Sequence, residues 1–483
     1  KIIKSDTSSH AVQVQTQEPI AHEVRVRLGT EPESLNPLTA DTEDAIELAM
    51  NSYVGLYQYK NGKIVPALAT DYPNISKDGL VYTITLKSSL WSNGDSLGAV
   101  DFARTWNRGN AKIYGEKVAT AYDAIAENQD GSLQVQVVDP NTLKITLKQK
   151  NDSFLMELAS PQFLPLHESY LDEDAANGQM VSNGAYLLSG WIKNQQLTYQ
   201  KNMNYMQADN VSNIQLDYCI YPEDAEAYQA YCDGKLAVTD DIPSSDVTVL
   251  YQNGSLHTYD VNATECFFAN PNADLYKNMS QDQAVAFRKA ISRLIDREYL
   301  TGAVGQLDQK QAQSALSYTS FQKLNLLSLL YIKGDYAHTG MSCSEEAKNL
   351  LSGCGYRFII NSDTTYTPKV PIVITAITDS DTQNLEILKS IQNDVSMIGI
   401  TLNIQELSRE DYYNRVESEQ YDFAIGRLLP TQRLIEQHKK WMNHYQIIPL
   451  YDSKDGYLCN DNVTGITSNS FGAKDFTKLV VAK

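Results

Sequence analysis

Apolar and polar residues alternate with a period of two in several short stretches of the chain. Residues 24–28 read Val, Arg, Val, Arg, Leu, which predicts a strand with one buried face. The same period recurs in three later segments, 81–86, 133–137 and 143–147. The last two flank the turn-forming residues 139–141 and therefore predict a β-hairpin. The dipeptide Asn61-Gly62 predicts a second, tight hairpin.

Other segments carry the spacing of three to four residues between apolar positions that is typical of amphipathic helices. Residues 45–53 show this spacing, and Ser280 with Gln283 forms a capping box before a further helix. The clearest unit is a strand, helix and strand at 370–377, 382–398 and 400–404. Strands that alternate with helices in this way predict an α/β fold with mixed or parallel sheets.

The length and the charge of the chain limit its class. At 483 residues it is too long for one ordinary core, and a typical domain size of about 150 residues gives roughly three compartments. Acidic residues outnumber basic ones by 59 to 40, and no run of Lys and Arg is dense enough to follow a phosphate backbone. We therefore expect a multi-lobed globular protein that does not bind nucleic acid.

The cysteines and the chain start give little evidence on the compartment. The six cysteines include no C-x-x-C pair, and Cys343 and Cys354 are close enough in sequence to pair, although separate thiols are the more common arrangement. No stretch of about 18 apolar residues predicts a transmembrane helix. Residues 1–20 read as a polar tether, as they would in an exported protein after removal of a signal peptide.

The common catalytic motifs are absent from the sequence. It contains no H-E-x-x-H, G-x-S-x-G, G-x-x-x-x-G-K or G-x-G-x-x-G motif. His438 and His444 are six residues apart, which is the wrong spacing for two ligands on one helical face, so we predict no metal and no cofactor. Glu31 and Glu33 are candidates for the two carboxylates of a glycosidase, although any acidic chain offers many such pairs.

A series of short motifs resembles a known family. In the first part of the chain the motifs are TEPESLNP at 30–37, GLY at 55–57, VPALA at 65–69, DGLVYT at 78–83, WSNGD at 91–95, DF at 101–102 and WNR at 106–108. The later motifs are NGAY at 183–186, GW at 190–191, FRKAI at 287–291, IDR at 295–297, MIGI at 397–400, YDF at 421–423 and IIPLY at 447–451. In order and spacing they resemble the family 5 extracellular solute-binding proteins, and within these the oligopeptide-binding proteins of ABC importers.

The resemblance implies a two-lobed α/β fold of the periplasmic-binding-protein class, type II and cluster C, with an extra α/β subdomain on the first lobe. It assigns lobe I to residues 21–57, 183–267 and 448–483. The accessory subdomain takes residues 58–182, and lobe II takes residues 268–447. Two crossing segments form the hinge, and the lobes close on the ligand.

The same resemblance assigns the ligand contacts. The loop Thr30, Glu31, Pro32, Glu33 and Ser34 is expected to pair with the backbone of an extended peptide. Four further residues are expected to border the groove, namely Trp91, Trp106, Phe268 and Asn270. For the two Trp residues, packing in the core is an equally common role of an amphipathic ring.

The chain departs from the family pattern after Gly426. There the family runs into a Gly-Trp segment with an acidic residue that receives the amino terminus of the peptide. Here Arg427 and Leu428 follow instead, and lobe II is shortened by tens of residues in this sequence. Recognition of the amino terminus by that acidic residue therefore has no assignment in this chain.

The function implied by the resemblance is capture of oligopeptides for an ABC importer, without catalysis. The expected partners are the peptide and the membrane permease subunits, and the expected state is a monomer. The expected location is outside the cytoplasmic membrane, in the periplasm or on the cell surface through a lipid anchor beyond this chain. Alternative ligands within the family are nickel complexes, haem, di- or tripeptides, signalling peptides and oligosaccharides, and the alternative from another class is a glycoside hydrolase.

Overall fold

One mixed β-sheet of ten strands connects the two halves of the molecule. The first half contains the five strands at one side of the sheet, from Tyr186–Ile192 to Val238–Thr239 in spatial order, and the second half contains the three strands at the other side, from Phe423–Leu428 to Ile400–Glu406. The computed structural model describes residues 22–60, 63–315, 343–428, 432–468 and 472–482. In spatial order the strands are Tyr186–Ile192, Gln196–Lys201, Ile214–Ile220, His22–Leu28, Val238–Thr239, Ile447–Cys459, His257–Ala269, Phe423–Leu428, Ile372–Thr378 and Ile400–Glu406. The strand predicted at 24–28 is confirmed as part of the first strand in the sequence.

Two strands of 13 residues each, His257–Ala269 and Ile447–Cys459, lie in the middle of this sheet and are antiparallel to each other. Toward one side, Cys459 pairs with Val238. Toward the other side, residues 264–269 pair with residues 423–428. Each long strand therefore belongs to both halves, and together they form the two crossings between them.

The helices pack on both sides of the strands. Their bounds are Glu43–Ser52, Ala99–Asn110, Glu116–Ala119, Phe154–Glu157, Asp172–Asn177, Asp224–Cys232, Ser244–Gln252, Gln281–Leu294, Arg297–Tyr299, Ser344–Gly353, Thr382–Ser396, Arg409–Glu417 and Gln432–Asn443. The predicted capping box is confirmed, because Gln283 N donates to Ser280 Oγ at 3.2 Å and Ser280 N donates to Gln283 Oε1 at 2.9 Å. These contacts satisfy amide groups that the first turn of a helix leaves unpaired.

Smaller sheets complete the fold. Four strands, Asn74–Ile75, Val81–Thr85, Thr142–Thr146 and Val135–Asp139, form one sheet. Five strand pairs are Tyr57–Lys60 with Lys63–Pro66, Ser89–Leu90 with Ser96–Leu97, Phe358–Ile360 with Tyr366–Pro368, Val463–Thr464 with Val480–Val481, and Thr467–Ser468 with Lys474–Asp475. The predicted hairpin around residues 139–141 is confirmed. The turn residues Asn61 and Gly62 lie outside the described residues, but the strands on either side of them pair as predicted.

The predicted strand, helix and strand unit is also confirmed. Strands Ile372–Thr378 and Ile400–Glu406 pair in parallel, with helix Thr382–Ser396 between them in sequence. Gly399 ends the connection with a φ of +76°, a left-handed conformation that glycine adopts without steric cost. Among the described residues, no helix is both long enough and apolar enough to cross a membrane.

Three large hydrophobic clusters lie around this framework. The first takes most of its members from residues between Leu38 and Ala175, and the second from residues between Cys266 and Tyr451. The third lies around strand His22–Leu28 and its neighbours. Helix Glu43–Ser52 buries Ile46 in the first cluster and Leu48 in the third, so it joins two of the cores. Each fully buried side chain of this kind stabilises the fold by roughly 1.5–3 kcal/mol.

Candidate functional site

The loop predicted to contact the ligand directly follows strand His22–Leu28 and is fixed by Asp44. The Asp44 Oδ2 atom accepts hydrogen bonds from Gly29 N at 2.9 Å, from Thr30 N at 3.2 Å and from Thr30 Oγ1 at 3.3 Å. Asp44 lies in the first turn of helix Glu43–Ser52, where a carboxylate also complements the positive end of the helix dipole. The start of the loop is therefore held against this helix.

The Glu31 carboxylate holds the next part of the loop. Its Oε1 accepts from Trp191 Nε1 at 3.0 Å and its Oε2 accepts from the amide of Asn194 at 2.9 Å. Lys193 Nζ lies 3.9 Å from the same carboxylate. Glu33 is exposed and has no such contacts among the described residues. Glu31 thus anchors the loop to Trp191 and to the turn that follows it, whereas Glu33 does not.

The backbone of the loop, unlike its side chains, has free hydrogen-bonding groups. Within the described part of the chain, the amides of Glu31, Glu33 and Ser34 have no hydrogen-bond partner, and Pro32 has no amide hydrogen. Pairing resumes at Leu35, whose amide donates to the Ala175 carbonyl at 3.1 Å. A short loop with two anchored side chains and open amides is suited to main-chain hydrogen bonding with another chain.

The two Trp residues predicted to border the groove are buried in this structure. Trp91 and Trp106 are both 0 % exposed and belong to the first hydrophobic cluster. Trp106 Nε1 donates to the Phe163 carbonyl at 3.2 Å, and its ring packs edge-on against Phe102 and Phe163. In this structure both rings are therefore part of a hydrophobic core, and contact with a ligand stays a prediction. Helix Ala99–Asn110 places Phe102 and Trp106 on one buried face, one turn apart.

The Asn270 side chain forms hydrogen bonds with other residues of the protein. Its Nδ2 donates to the carbonyls of Glu419 at 2.7 Å and Tyr421 at 2.9 Å, and its Oδ1 accepts from Asn272 N at 3.0 Å. With 2 % exposure, this side chain holds the end of a crossing strand and has no free group for a ligand. Phe268 is half-buried and packs beside the small cluster of Ile377, Tyr412 and Ala424, and its predicted contact with a ligand stays a prediction.

An ion-pair cluster around Arg427, which the sequence analysis did not find, lies where the two halves meet. Arg427 Nη1 and Nη2 each contact one Asp455 oxygen at 2.7 Å, and Arg427 Nε donates to Glu265 Oε1 at 2.8 Å. Glu43 Oε2, from the first half, is 3.9 Å from Arg427 Nη1. Desolvation by the surrounding protein, and then the charge of Asp455, raise the pKa of Glu43 well above its usual value.

A second cluster lies deeper, around Lys474. Lys474 Nζ is 2.8 Å from Asp240 Oδ2 and 3.1 Å from Glu47 Oε2, and the Lys474 amide donates to the same Glu47 oxygen at 2.9 Å. Burial raises the pKa of Glu47 to about 7, although Lys474 opposes this shift. Burial also acts to raise the pKa of Asp240, but Lys474 and Arg27 outweigh it and lower the pKa. Beside them, Arg27 Nε lies 2.6 Å from Asp241 Oδ2.

Direct contacts hold the two halves together in this conformation. Ser244 Oγ donates to Glu386 Oε1 at 2.9 Å, and Thr382 Oγ1 donates to Asp224 Oδ2 at 3.4 Å. With the approach of Glu43 to Arg427, these contacts join helices of the first half to a helix and a strand of the second. Polar contacts therefore connect the two halves across the cleft between them.

A cavity within the first half is too small to take a peptide. Its volume is about 50 Å³, and its lining includes Leu35, Leu48, Tyr53 and Met180. A volume of this size suits only a water molecule or two. This cavity is therefore not a candidate site for a peptide.

The described residues give no sign of metal chemistry. They contain no group of three or more His, Cys, Asp and Glu side chains that is placed to hold a metal ion. Cys354 is a free thiol in contact with the carbonyls of Gln283 at 3.2 Å and Leu350 at 3.3 Å. Its role is in helix packing.

Sequence comparison identifies related proteins. The profile described as "Bacterial extracellular solute-binding proteins, family 5 Middle" matches residues 63–431. Oligopeptide-binding protein OppA of Bacillus subtilis (strain 168) is 25% identical over 315 residues, which cover 61% of this chain and 56% of the relative. Periplasmic murein peptide-binding protein MppA of Escherichia coli (strain K12) is 27% identical over 328 residues, which cover 64% of this chain and 58% of the relative. The match thus spans little more than half of each of these relatives.

Solved structures show the same fold. OppA of Listeria monocytogenes bound to peptide superposes with a TM-score of 0.74 at 20% identity, covering 96% of this chain and 99% of that chain. OppA of Haemophilus influenzae in complex with RPPGFSPFR gives a TM-score of 0.76 at 17% identity, with 96% and 99% covered. The predicted two-lobed α/β architecture is confirmed by these similarities.

Proposed function

Because the chain belongs to family 5 of the bacterial extracellular solute-binding proteins, we propose that it captures oligopeptides between its two lobes for an ABC importer. The observation that carries this proposal is the loop after strand His22–Leu28. Its side chains are anchored by Asp44, Trp191 and Asn194, while the amides of Glu31, Glu33 and Ser34 have no partner among the described residues. These amides are available for hydrogen bonds to the main chain of a peptide.

The mode of binding follows from the chemistry of the backbone. Hydrogen bonds between main chains do not depend on the side chains of the peptide, so one groove accepts many sequences. Water in the side-chain pockets replaces direct contacts at little energetic cost. This proposal needs no catalytic group, since binding and release alone deliver the solute.

Lobe closure is the step that couples binding to transport. We assign residues 21–57, 183–267 and 448–483 to the first lobe, residues 58–182 to its accessory subdomain and residues 268–447 to the second lobe. The support is that strand Ile447–Cys459 pairs with a strand of the first half, strand His257–Ala269 pairs with a strand of the second half, and the two long strands pair with each other. A ligand that contacts both lobes stabilises the closed state by its differential affinity for that state.

The proposal also covers the location of the protein and its partner subunits. A binding protein of this family presents the closed, loaded form to membrane permease subunits outside the cytoplasmic membrane. We propose such a location, as a monomer, with attachment through a lipid beyond this chain or free in the periplasm. Transport energy comes from the importer, because the binding step itself is reversible.

The test is native mass spectrometry of freshly purified protein, followed by denaturation and identification of whatever is released. A mixture of short peptides, and rebinding of those peptides in calorimetry, is the expected result. A single nickel complex, a haem or an oligosaccharide would keep the fold and replace the ligand. Cleavage of an added oligosaccharide would instead overturn the non-catalytic assignment.

A further inference from the structure

Three polar side chains form a row across neighbouring strands at the cleft. Glu265 lies on a crossing strand and is paired in register with Arg427 on one side and with Tyr451 on the other. Residues directly opposite each other on adjacent strands project to the same face of the sheet. Arg427, Glu265 and Tyr451 therefore share one face, and Asp455 and Glu43 lie against the Arg427 end of the row.

The charges of this group do not balance. One guanidinium contacts three carboxylates, those of Glu265, Asp455 and Glu43. The first two are hydrogen-bonded to Arg427, whereas Glu43 approaches it only to 3.9 Å and accepts no hydrogen bond from the described residues. The Glu43 side chain is 38 % exposed, and neither of the cations near it, Lys474 and Arg427, donates a hydrogen bond to it in the described part of the chain. Of the three carboxylates, Glu43 is the one left for an additional cation.

Tyr451 provides an independent indication of a missing partner. It is 1 % exposed, yet its hydroxyl has no hydrogen-bond partner among the described residues. Leaving such a group unsatisfied costs roughly 1–3 kcal/mol, so a buried hydroxyl is normally paired. A solute group that hydrogen-bonds this hydroxyl, beside Glu265, removes that cost.

We infer that Glu43, Asp455 and the Tyr451 hydroxyl form a subsite for a cationic group of the captured solute, an ammonium or a guanidinium. The inference rests on the proposed peptide function and adds to it a preference for positive charge. Desolvation and the charge of Asp455 raise the pKa of Glu43, and a solute cation would oppose this shift because it stabilises the carboxylate form. An organic cation fits better than a metal, since no group of three or more potential ligands is placed for one among the described residues.

Arg427 sets how strongly the subsite attracts a cation. It neutralises one of the three carboxylates and holds two of them in fixed positions through charged hydrogen bonds. Protein surrounds part of the remaining negative charge. Because the dielectric constant of protein is lower than that of water, the attraction of this charge for a cation is stronger than in water. Discrimination between charged and neutral solutes therefore depends on Glu43.

The test compares matched probes in calorimetry with the wild-type protein and with Glu43→Gln. One pair of probes is an alanine tetrapeptide with a free and with an acetylated amino terminus. The other pair consists of two peptides that differ only at the second position, which is lysine in one and norleucine in the other. In one of the pairs we expect the cationic member to bind about tenfold more tightly than the neutral one. Glu43→Gln should bring this ratio close to one.

Asp41→Asn is the matched control, because Asp41 lies two residues before Glu43 and pairs outward with Lys117 at 2.7 Å. It should leave the ratio unchanged, and Tyr451→Phe should lower the affinity for the cationic probe severalfold. If the acetylated and free peptides show the expected ratio, the cation is the amino terminus. If the lysine and norleucine peptides show it, the cation is a side chain. If both members of each pair bind wild-type protein equally, or if Glu43→Gln weakens both equally, the inference is wrong while the peptide function stands. If no probe and no eluted peptide binds, the proposed function fails, and the inference fails with it.

Discussion

Two buried cations of this protein, Lys474 and Arg427, have similar partners and different surroundings. Each contacts more than one carboxylate at 2.7–3.1 Å. The Lys474 side chain is 3 % exposed and its partner Glu47 is 4 % exposed, whereas the Arg427 side chain is 26 % exposed and approaches Glu43, which is 38 % exposed. The first cluster is sealed inside one half, and the second opens into the cleft between the halves.

The difference separates a structural role from a binding role. In the Lys474 cluster the ammonium and the amide of the same residue both contact Glu47, so its carboxylate is satisfied. In the Arg427 cluster the Glu43 carboxylate accepts no hydrogen bond from the described residues, and the Tyr451 hydroxyl has no hydrogen-bond partner among them. The Arg427 cluster therefore differs from the Lys474 cluster in its greater exposure and in the missing hydrogen bonds of Glu43 and Tyr451.

The largest effect is expected for Lys474→Met. It leaves the carboxylates of Glu47 and Asp240 buried without their cation, and removal of one partner from a buried ion pair costs about 3–5 kcal/mol. Urea unfolding followed by circular dichroism measures the loss. The control is the exposed Lys478, where the same substitution should change the free energy of unfolding by no more than about 0.5 kcal/mol. Equal effects at both positions would show that the sealed cluster is not structural.

A smaller loss of stability, with a gain in binding, is expected for Arg427→Gln. The variant removes the guanidinium from Glu265 and Asp455, and loss of hydrogen bonds to these charged groups should cost about 1–3 kcal/mol. The same change raises the negative charge of the subsite, and affinity for the cationic probe should rise severalfold in calorimetry. Unchanged or weaker binding of that probe would remove Arg427 from the role assigned to it.

The pH dependence of stability should reveal the sealed cluster. The pKa of Glu47 is raised from 4.5 to about 7, so between these values the folded state holds a proton that the unfolded state has released. The contribution of Glu47 to stability is therefore complete below pH 4.5 and is lost as pH rises toward 7, with a slope of at most about 1.4 kcal/mol per pH unit. Thermal unfolding of Glu47→Gln across this range should show a weaker slope than that of the wild type. Parallel slopes would contradict the assignment.

The smallest effect is expected at the loop. Glu31→Ala removes the contacts to Trp191 and Asn194, and loss of hydrogen bonds to a partly exposed carboxylate costs about 1 kcal/mol. Peptide affinity should fall about fivefold, because the loop must then be ordered by the ligand. Glu33→Ala, at the exposed neighbour without such contacts, should bind like the wild type. If both variants bind alike, anchoring of the loop does not contribute.

Much of the fold follows from local patterns. The period of two in residues 24–28, the capping box at Ser280 and Gln283 and the strand, helix and strand unit ending at 404 all appear as predicted. These features depend on neighbours within a few residues, which the sequence displays directly. The exact ends of the elements differ by one or two residues, as helix and strand ends usually do.

The site was only partly predictable. Trp106 was assigned to the groove although Phe102, four residues earlier, already indicated a buried helical face. The clusters of Lys474 and Arg427 were missed because their members are far apart in sequence. Glu43 and Arg427, for example, meet only after both crossing strands are in place. No local pattern reports such a contact.

The central claim is that a peptide binds between the lobes by pairing with the loop, and hydrogen exchange with and without the eluted peptides tests it most directly. Saturating peptide should slow exchange in a fragment covering the amides of Glu31, Glu33 and Ser34, and leave the fragment around the buried Trp106 unchanged. A complex that forms with no change in exchange at the loop would contradict the account.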